Sequence, residues 1–367
     1  MEKITGCLTK ANGKKGRQPA YACLSFGKRK ETRGMRMRDK RTAGLRNLFA
    51  ACVVALHAAA LTGCTATPAV MTEEPAVPRR IALVAPVHAG EQGEAMRIGA
   101  EAAAKEFGLE LDYVSFRSED DAAEQLAAAF RLLDEGAAAL LIDPADEDTL
   151  RKIGAYGAER SISVIALNDE RTPRGVEGAI AINNEEAGRK AGKALAELLE
   201  GRGIVALLKS ERHDPSLILR EQGIREVLKQ YPSIQLREGS VCGNRRDGCM
   251  VAAKSMLDGA VLDGAIALQS VASLGLADEV MRRKWGLDFK VVAFGSEREQ
   301  LELLQEGIIH QLVVQNDFST GYIGVEQAAA LLSGESIGKP TLLETKVVNA
   351  DNMFWMNNQK LLFPFVH

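Results

Sequence analysis

The sequence predicts an α/β protein with two lobes, each a parallel β-sheet flanked by helices. Short, continuously apolar segments alternate with segments whose apolar residues recur at helical spacing. Strands that are apolar throughout belong to sheets covered by helices on both faces. The alternation runs from residue 81 to residue 182 and starts again near residue 185. A chain of 367 residues is long enough for two domains of ordinary size.

The first series of elements begins with the apolar strand at residues 81–85. A helix follows, in which Ala95, Ile98 and Ala102 lie at helical spacing and Gly108 acts as the stop. The predicted strands of this series are 81–85, 110–116, 138–142, 163–167 and 179–182, and the predicted helices are 94–107, 119–135 and 150–160.

The second series repeats the same alternation to the end of the chain. The predicted strands are 204–208, 234–241, 265–268, 290–294 and 310–315, followed by an extended end at 342–348. The predicted helices are 185–200, 216–230, 248–257, a segment ending at 284, 297–305 and 317–332. Parallel α/β sheets bind ligands beyond the carboxyl ends of their strands. We therefore expect functional residues directly after Ala85, Ile142, Leu167, Leu208, Leu268, Phe294 and Val314.

The segment before residue 65 has the pattern of an export signal. A basic segment precedes an apolar run at residues 48–60, and Leu61-Thr62-Gly63-Cys64 follows. This end resembles the lipobox of bacterial lipoproteins, which implies that Cys64 is the first mature residue and carries lipid. The alternatives are a buried core helix or a transmembrane helix. The run is shorter than the roughly 20 residues that a spanning helix needs, and a core helix fits poorly beside so many basic residues.

The flanks of this signal have simpler interpretations. Residues 1–34 lack hydrophobic periodicity, and a signal peptide can begin at Met35 or Met37. We therefore interpret residues 1–34 as sequence upstream of the true translation start rather than as a functional basic arm. Residues 65–78 contain three prolines and no apolar period, which predicts a flexible tether.

The net charge of −3 hides a strong asymmetry. Residues 1–46 hold 14 Lys and Arg against Glu2, Glu31 and Asp39, a charge of +11, and residues 47–63 hold none of these types. A charge of −14 therefore remains on the part after residue 63. Such an acidic body argues against nucleic-acid binding.

The six cysteines divide in the same way. Three precede the signal's end and Cys64 is the predicted lipid site, which leaves Cys242 and Cys249. A remaining pair in an exported protein is a disulfide candidate. Two unlinked thiols, or a metal pair without its other ligands, are the alternatives.

The sequence offers no convincing catalytic constellation. It has no Gly-x-Ser-x-Gly elbow, no Walker loop and no Gly-x-Gly-x-x-Gly after the first strand. His88 and His213 follow strands and are either ligand contacts or solvated loop residues, and no histidines stand at metal-ligand spacing. We expect neither an enzyme nor a cofactor or metal site.

Several segments between residue 81 and about residue 348 follow one another in an order and spacing typical of a known family: 81–84, 142–146, 164–168, 183–188, 220–223, 291–294 and Gln315. In these segments the chain resembles the type I periplasmic sugar-binding proteins, the ribose- and galactose-binding group. The resemblance implies two lobes joined by three hinge crossovers and a cleft that closes on a small molecule. It also implies delivery of that molecule to a membrane permease, or of a signal to a receptor.

Several residues depart from the pattern of that family. Asn168 and Asp169 stand where the resemblance implies Asp and Arg, Ile218 where it implies Arg, and Gly295 where it implies Asp. The loop 86–93 contains no aromatic ring on which a sugar could stack. The ligand is therefore either a sugar bound in another way or another small polar molecule.

The predicted ligand-binding residues are the polar ones that follow the strands. They are His88, Gln92, Asn168, Asp169, Gln269, Ser270 and Gln315. The predicted hinges lie at Asn183 and Gln315. The predicted boundaries are 1–63 for the extension and signal peptide, 64–78 for the tether, 79–182 with 316–341 for the N-terminal lobe, and 183–315 with 342–367 for the C-terminal lobe and tail.

These observations predict an extracytoplasmic solute-binding lipoprotein, anchored to the cell membrane by lipid. It would capture a small polar ligand, a sugar or a sugar-like molecule, and deliver it to an ABC-type permease. The alternative is a ligand-sensing lipoprotein that signals to a membrane histidine kinase. A repressor of the same fold would need a helix-turn-helix ahead of the body, where the chain has the signal and tether instead.

Overall fold

The computed structural model describes residues 79–85, 90–115, 122–210, 214–259 and 261–363. The elements up to the first crossing are β1 (Arg79–Ala85), α1 (Gly90–Glu106), β2 (Leu109–Ser115), α2 (Ala122–Asp134), β3 (Ala139–Ile142), α3 (Glu147–Glu159), β4 (Ser163–Leu167) and β5 (Val176–Ile182). Next come α4 (Asn184–Leu198), β6 (Arg202–Lys209), α5 (Pro215–Leu228), β7 (Ser233–Leu236), β8 (Ser240–Val241), α6 (Arg246–Asp258), β9 (Gly264–Ala267), α7 (Ser270–Arg283), β10 (Lys290–Phe294), α8 (Arg298–Gln305) and β11 (Gln311–Val314). The last are α9 (Asp317–Leu332), β12 (Thr341–Leu343), β13 (Lys346–Val348) and α10 (Met356–Leu362).

These strands form two separate sheets. The sheet of the N-terminal lobe has the order β12-β5-β4-β3-β1-β2, and all its described pairs are parallel. The sheet of the C-terminal lobe has the order β13-β11-β10-β9-β6-β7, with β8 also paired to β6. Its one antiparallel described pair joins β13 to β11 at the edge. The predicted fold, two lobes built on mainly parallel sheets, is confirmed.

Each sheet is covered by helices on both faces, which explains why its strands are apolar throughout. In the N-terminal lobe, Ile81, Leu83 and Ile165 are buried with residues of α1 and α9, whereas Val84, Leu140 and Val164 are buried with residues of α2 and α3. The C-terminal lobe repeats this arrangement, with α4 and α5 on one face and α6, α7 and α8 on the other.

A close helix crossing between paired glycines occurs once in each lobe. A methyl group on Gly188 of α4 would overlap the carbonyl oxygen of Arg220 on α5, and one on Gly223 would overlap the carbonyl oxygen of Glu185. The second crossing, between α1 and α9, places Gly99 and Gly321 in the same relation to the opposite backbone. Only glycine allows backbones this near. These contacts hold α4 against α5 in the C-terminal lobe and α1 against α9 in the N-terminal lobe.

The chain crosses between the lobes three times. The crossings lie at Asn183, at Gln315–Asn316 and at Glu344–Thr345. The first two coincide with the predicted hinges. The third lies beyond the predicted boundary at residue 341, because Leu342 and Leu343 still pair with β5 of the N-terminal lobe.

Two predicted extended segments are each divided in the structure. The sequence predicts one extended segment at residues 342–348, but β12 and β13 belong to different sheets. It predicts one strand at residues 234–241, but β7 and β8 pair separately with β6. Between them Gly239 lies against the backbone of Leu207, so close that a side chain would overlap it.

The predicted signal peptide, Cys64 and tether lie outside the described residues. Among the helices that the structure describes, none combines the length and the apolar character that crossing a bilayer requires.

Candidate ligand-binding site

A cleft of about 1300 Å³ separates the two lobes at the carboxyl ends of their strands. Such a volume exceeds the roughly 300–1,000 Å³ of most small-molecule sites. Five of the predicted residues line it: Gln92, Asn168, Gln269, Ser270 and Gln315. The cleft is the place where the topology of both sheets directs a ligand.

Of the other two predicted ligand-binding residues, one lies away from the cleft and one is outside the described part of the chain. Asp169 does not line the cleft, because Arg171 occupies its carboxylate: the backbone N–H of Arg171 donates to Oδ1 at 2.9 Å and Nε donates at 2.8 Å. His88 lies outside the described residues.

On the side of the N-terminal lobe, carboxylates orient two cleft amides. Asn168 Nδ2 donates to Asp143 Oδ2 at 2.8 Å, and Gln315 Nε2 donates to Asp317 Oδ1. The structure turns the nitrogen of each amide toward the acid, where a carboxylate oxygen accepts its N–H group. Neither amide oxygen meets a donor among the described residues, so both oxygens remain acceptors for a ligand.

Asn168 owes its position to its backbone. It directly follows β4 and has a φ of 56°, in the left-handed region. Asn enters this region more readily than most residues with a side chain. The turn at Asn168 thus ends the strand and places the amide beside Asp143.

On the side of the C-terminal lobe, the orientation of the amide is reversed. The backbone N–H of Ser210 donates to Gln269 Oε1 at 3.2 Å, and the hydroxyl of Ser210, which is fully buried, donates to the same oxygen. The Nε2 group of Gln269 has no acceptor among the described residues. It remains a donor for a ligand.

Position 295, where the resemblance implies an aspartate, has no room for a side chain in this structure. Its φ is 125°, and a side chain there would overlap Gln300 and the hydroxyl of Ser270. The fully buried Gln300 fills this space and donates from Nε2 to Ser273 Oγ at 2.7 Å and to the carbonyl oxygen of Phe294 at 3.0 Å. This part of the cleft wall is therefore formed by an uncharged hydrogen-bond network around Gln300.

Arg220 supplies the floor of the cleft in the C-terminal lobe. Its Nε donates to Asn184 Oδ1 at 2.8 Å, its Nη1 donates to the carbonyl oxygen of Leu268 at 2.6 Å, and its guanidinium lies 4.5 Å from the centre of the Phe294 ring. Burial lowers the pKa of Arg220 to about 10, although Asp214 raises it. Arg220 remains a cation at neutral pH, with N–H groups left to donate.

The disulfide candidate is bonded in the structure and borders the cleft. Cys242 and Cys249 form a disulfide that closes the turn carrying Asn244 and Arg245, both of which line the cleft. Arg246, next in the turn, is held by Asp278 and Glu299 and is not directed to a ligand.

Two carboxyl groups with raised pKa values, the buried Asp317 and the half-buried Asp143, dominate the electrostatics of the hinge side. Burial raises the pKa of Asp143 to about 7 against the effect of the Asn168 hydrogen bond. Burial also raises the pKa of Asp317 to about 7, and the charges of Asp143 and Glu297 act in the same direction. No ion pair to either acid occurs among the described residues. Donor groups of a ligand would offset part of this burial cost.

The structure adds residues that the sequence did not identify. Asp143 and Asp317 follow β3 and β11. Ligand binding beyond the carboxyl ends of parallel strands therefore predicts that these segments matter, but it does not predict that the two acids orient the amides. The sequence does not predict a role for Glu91 or Arg298, because they lie at the starts of helices in different lobes and only the fold brings them together. Within the described ranges, no group of three or more His, Cys, Asp or Glu residues could hold a metal ion.

Known proteins share this sequence and architecture. Residues 81–336 match the model of the periplasmic binding protein domain family. The chain is 23% identical to a xylitol-binding protein of Mycolicibacterium smegmatis over 70% of this chain and 73% of the relative. It is 25% identical to a D-apiose import binding protein of Paraburkholderia graminis over 84% of this chain and 96% of that one.

A solved structure has the same fold. An ABC transporter solute-binding protein from Agrobacterium vitis, bound with α-D-tagatopyranose, superimposes with a TM-score of 0.72. It covers 77% of this chain and 98% of its own, at 23% identity.

Proposed function

The chain belongs to the periplasmic binding protein domain family, and on this premise we propose that it captures a small polyhydroxylated ligand between its lobes and delivers it to an ABC-type permease. The family consists of extracytoplasmic solute-binding proteins. The ligand in this proposal is a sugar or a sugar-like polyol. The protein would act as a lipoprotein, tethered to the membrane through Cys64.

The observation that carries the proposal is the division of hydrogen-bonding groups across the cleft. The hinge side offers the acceptor oxygens of Asn168 and Gln315, and the C-terminal lobe offers the donors of Gln269 and Arg220. A hydroxyl group both donates and accepts, so a polyol can satisfy both sides at once. A ligand with acceptors alone would leave the two amide oxygens unpaired.

Apolar groups complete the site. Val271, Leu274 and Val313 line the same cleft. They can contact the C–H faces of a polyol, in place of the aromatic ring that the loop 86–93 lacks. The names of the relatives support this ligand class, because xylitol, apiose and tagatose are all polyhydroxylated.

The test is a binding screen on the purified full chain in detergent. We expect a pentose, a hexose or a pentitol to raise the melting temperature and to give saturable heat in calorimetry. A ligand at 100 times its dissociation constant stabilises a protein by about 2.7 kcal/mol.

Matched variants decide whether the cleft is responsible. Gln315→Ala and Asn168→Ala should abolish the response, and Gln359→Ala, which removes an exposed amide of α10, should leave it unchanged. The proposal that this cleft captures a polyol is wrong if no sugar or polyol raises the melting temperature or gives heat of binding. It is also wrong if Gln315→Ala responds like the parent.

A further inference from the structure

The mouth of the cleft holds a pair of contacts that join the two lobes. Glu91 is in the first turn of α1 in the N-terminal lobe, and Arg298 is the first residue of α8 in the C-terminal lobe. Glu91 Oε2 accepts from the backbone N–H of Arg298 at 2.7 Å. In the other direction, Glu297 Oε2 accepts from the backbone N–H of Glu91 at 3.3 Å.

These contacts supply each helix with something that it lacks. The first N–H groups of a helix have no partner within it, and the helix dipole places about half a positive charge there. The residues before Glu91 are Ala89 and Gly90, neither of which has a side chain that can accept a hydrogen bond. Among the described residues, neither the Arg298 nor the Glu91 amide has another acceptor.

Two helix N-termini that face each other would repel without the carboxylates between them. Glu91 and Glu297 lie at this junction, so closing the lobes brings each negative group to the positive end of the opposite helix. Glu297 is also part of a capping box at the start of its own helix α8: its backbone N–H donates to Gln300 Oε1 at 3.0 Å, and its carboxylate accepts from the backbone N–H of Gln300. The two lobes thus exchange helix caps.

We propose that this reciprocal exchange of helix caps, Glu91 to α8 and Glu297 to α1, is a latch that stabilises the closed cleft before ligand arrives. The contacts of the latch do not depend on the proposed function. The role of the latch does rest on it, since that role is to set how readily the protein captures its ligand. Glu91 and Glu297 are positioning residues, because they act through lobe closure.

The side chain of Arg298 is a minor part of the latch. Its Nε lies 3.0 Å from Glu91 Oε1, but 78% of the side chain is exposed. An exposed ion pair contributes little, whereas a carboxylate on unpaired helix N–H groups contributes more. The latch therefore predicts that Glu91→Ala opens the cleft and that Arg298→Ala has much less effect.

The decisive measurement is hydrogen exchange of single amides in the purified full chain, without ligand. In Glu91→Ala, the Arg298 amide of the opposite lobe should exchange at least about fivefold faster, since the loss of a cap typically costs about 1 kcal/mol. In Glu297→Ala, the Glu91 amide should respond in the same way. Glu101→Ala, which removes an exposed acid of the same helix α1, is the matched control and should leave the Arg298 amide unchanged.

The outcomes separate the latch from the proposed function. Unchanged exchange of the Arg298 amide in Glu91→Ala overturns the latch, as does an equal effect of Arg298→Ala and Glu91→Ala. Neither result depends on any ligand, so a failed sugar screen with a positive exchange result rejects the ligand class alone.

Discussion

Asp143 and Asp317 orient the cleft amides at a cost to the folded state. Both are carboxyl groups whose pKa is raised by burial to about 7, against an ordinary value of 3.8. Asp143 faces Asn168 and the charge of Asp169. Asp317 faces Gln315 and the charges of Asp143 and Glu297. At neutral pH each acid is partly protonated, and a ligand hydroxyl that donates to the site would favour the ionised form.

The contribution of these two acids to the free energy of unfolding should therefore fall as pH rises from about 4 to about 7. Within this window the folded chain retains protons on Asp143 and Asp317 that the unfolded chain has lost, so these two groups stabilise the fold most at the acidic end. We expect Asp317→Asn, which keeps an oxygen for Gln315, to raise the melting temperature at pH 8 by at least about 2 °C.

Thermal unfolding at pH 5 and pH 8 measures this effect in the parent and in the variant. The difference in stability between Asp317→Asn and the parent should shrink at pH 5, where Asp317 is protonated. An exposed acid on another helix, in Glu101→Gln, supplies the control. An equal effect of Asp317→Asn at both pH values would contradict the raised pKa.

Gly295 marks the limit of what single residues in the sequence could predict about the site. The missing acid was visible as a departure from the family pattern, because it directly follows a predicted strand. Its replacement by Gln300 was not visible, since Gln300 lies in a helix and reaches back only in the folded chain. The orientation of Gln269 by Ser210 was hidden for the same reason: the two residues are 59 positions apart.

At the scale of elements, the pairs of close helices position the hinge ends of both lobes. Gly188 and Gly223 let α4 and α5 touch, and Arg220 on α5 then reaches Asn184 at the start of α4. Two of the segments that carry the family resemblance, 183–188 and 220–223, therefore build the floor of the cleft.

Gly188→Ala should destabilise the protein by roughly 1–3 kcal/mol, the usual cost of overpacking a close contact. The added methyl group would overlap the backbone carbonyl of Arg220, which cannot move without shifting the whole of α5. Chemical denaturation of the full chain measures the loss.

Gly338→Ala is the matched control for that substitution. Gly338 has open space around its Cα, so a methyl group there should change stability by less than about 0.5 kcal/mol. If the two variants are equally stable, the crossing of α4 and α5 is looser than the structure describes.

The elements themselves were largely predictable, and the exceptions share a cause. A strand buried on both faces must be apolar, so β1, β3, β4, β9 and β10 are visible as apolar runs. Residues 342–348 have the pattern of one extended segment, and nothing in that local pattern reveals that β12 and β13 pair with different sheets. Which sheet an extended edge segment joins depends on partners distant in the chain.

At the scale of the whole molecule, three crossings join the lobes, and the proposed latch adds a contact between them. We expect the crossings to act as hinges and the caps exchanged by Glu91 and Glu297 to favour the closed arrangement. Both carboxylates lie within the ligand cleft, and the charge of Glu297 also raises the pKa of Asp317. A bound ligand and the latch would thus stabilise the same closed state, which in the proposed function is the state that the permease recognises.

The proposed anchor determines whether that partner can be reached. The charge of −14 after residue 63 repels an anionic membrane surface, so the folded part has no electrostatic reason to stay near a bilayer. We expect the full chain, expressed in bacteria, to fractionate with membranes and the Cys64→Ser variant to appear in the soluble extracytoplasmic fraction. Cys52→Ser, a cysteine before the predicted cleavage point, should behave like the parent. Membrane association that survives Cys64→Ser would reject the lipid anchor and would require a direct contact between the folded lobes and a membrane component.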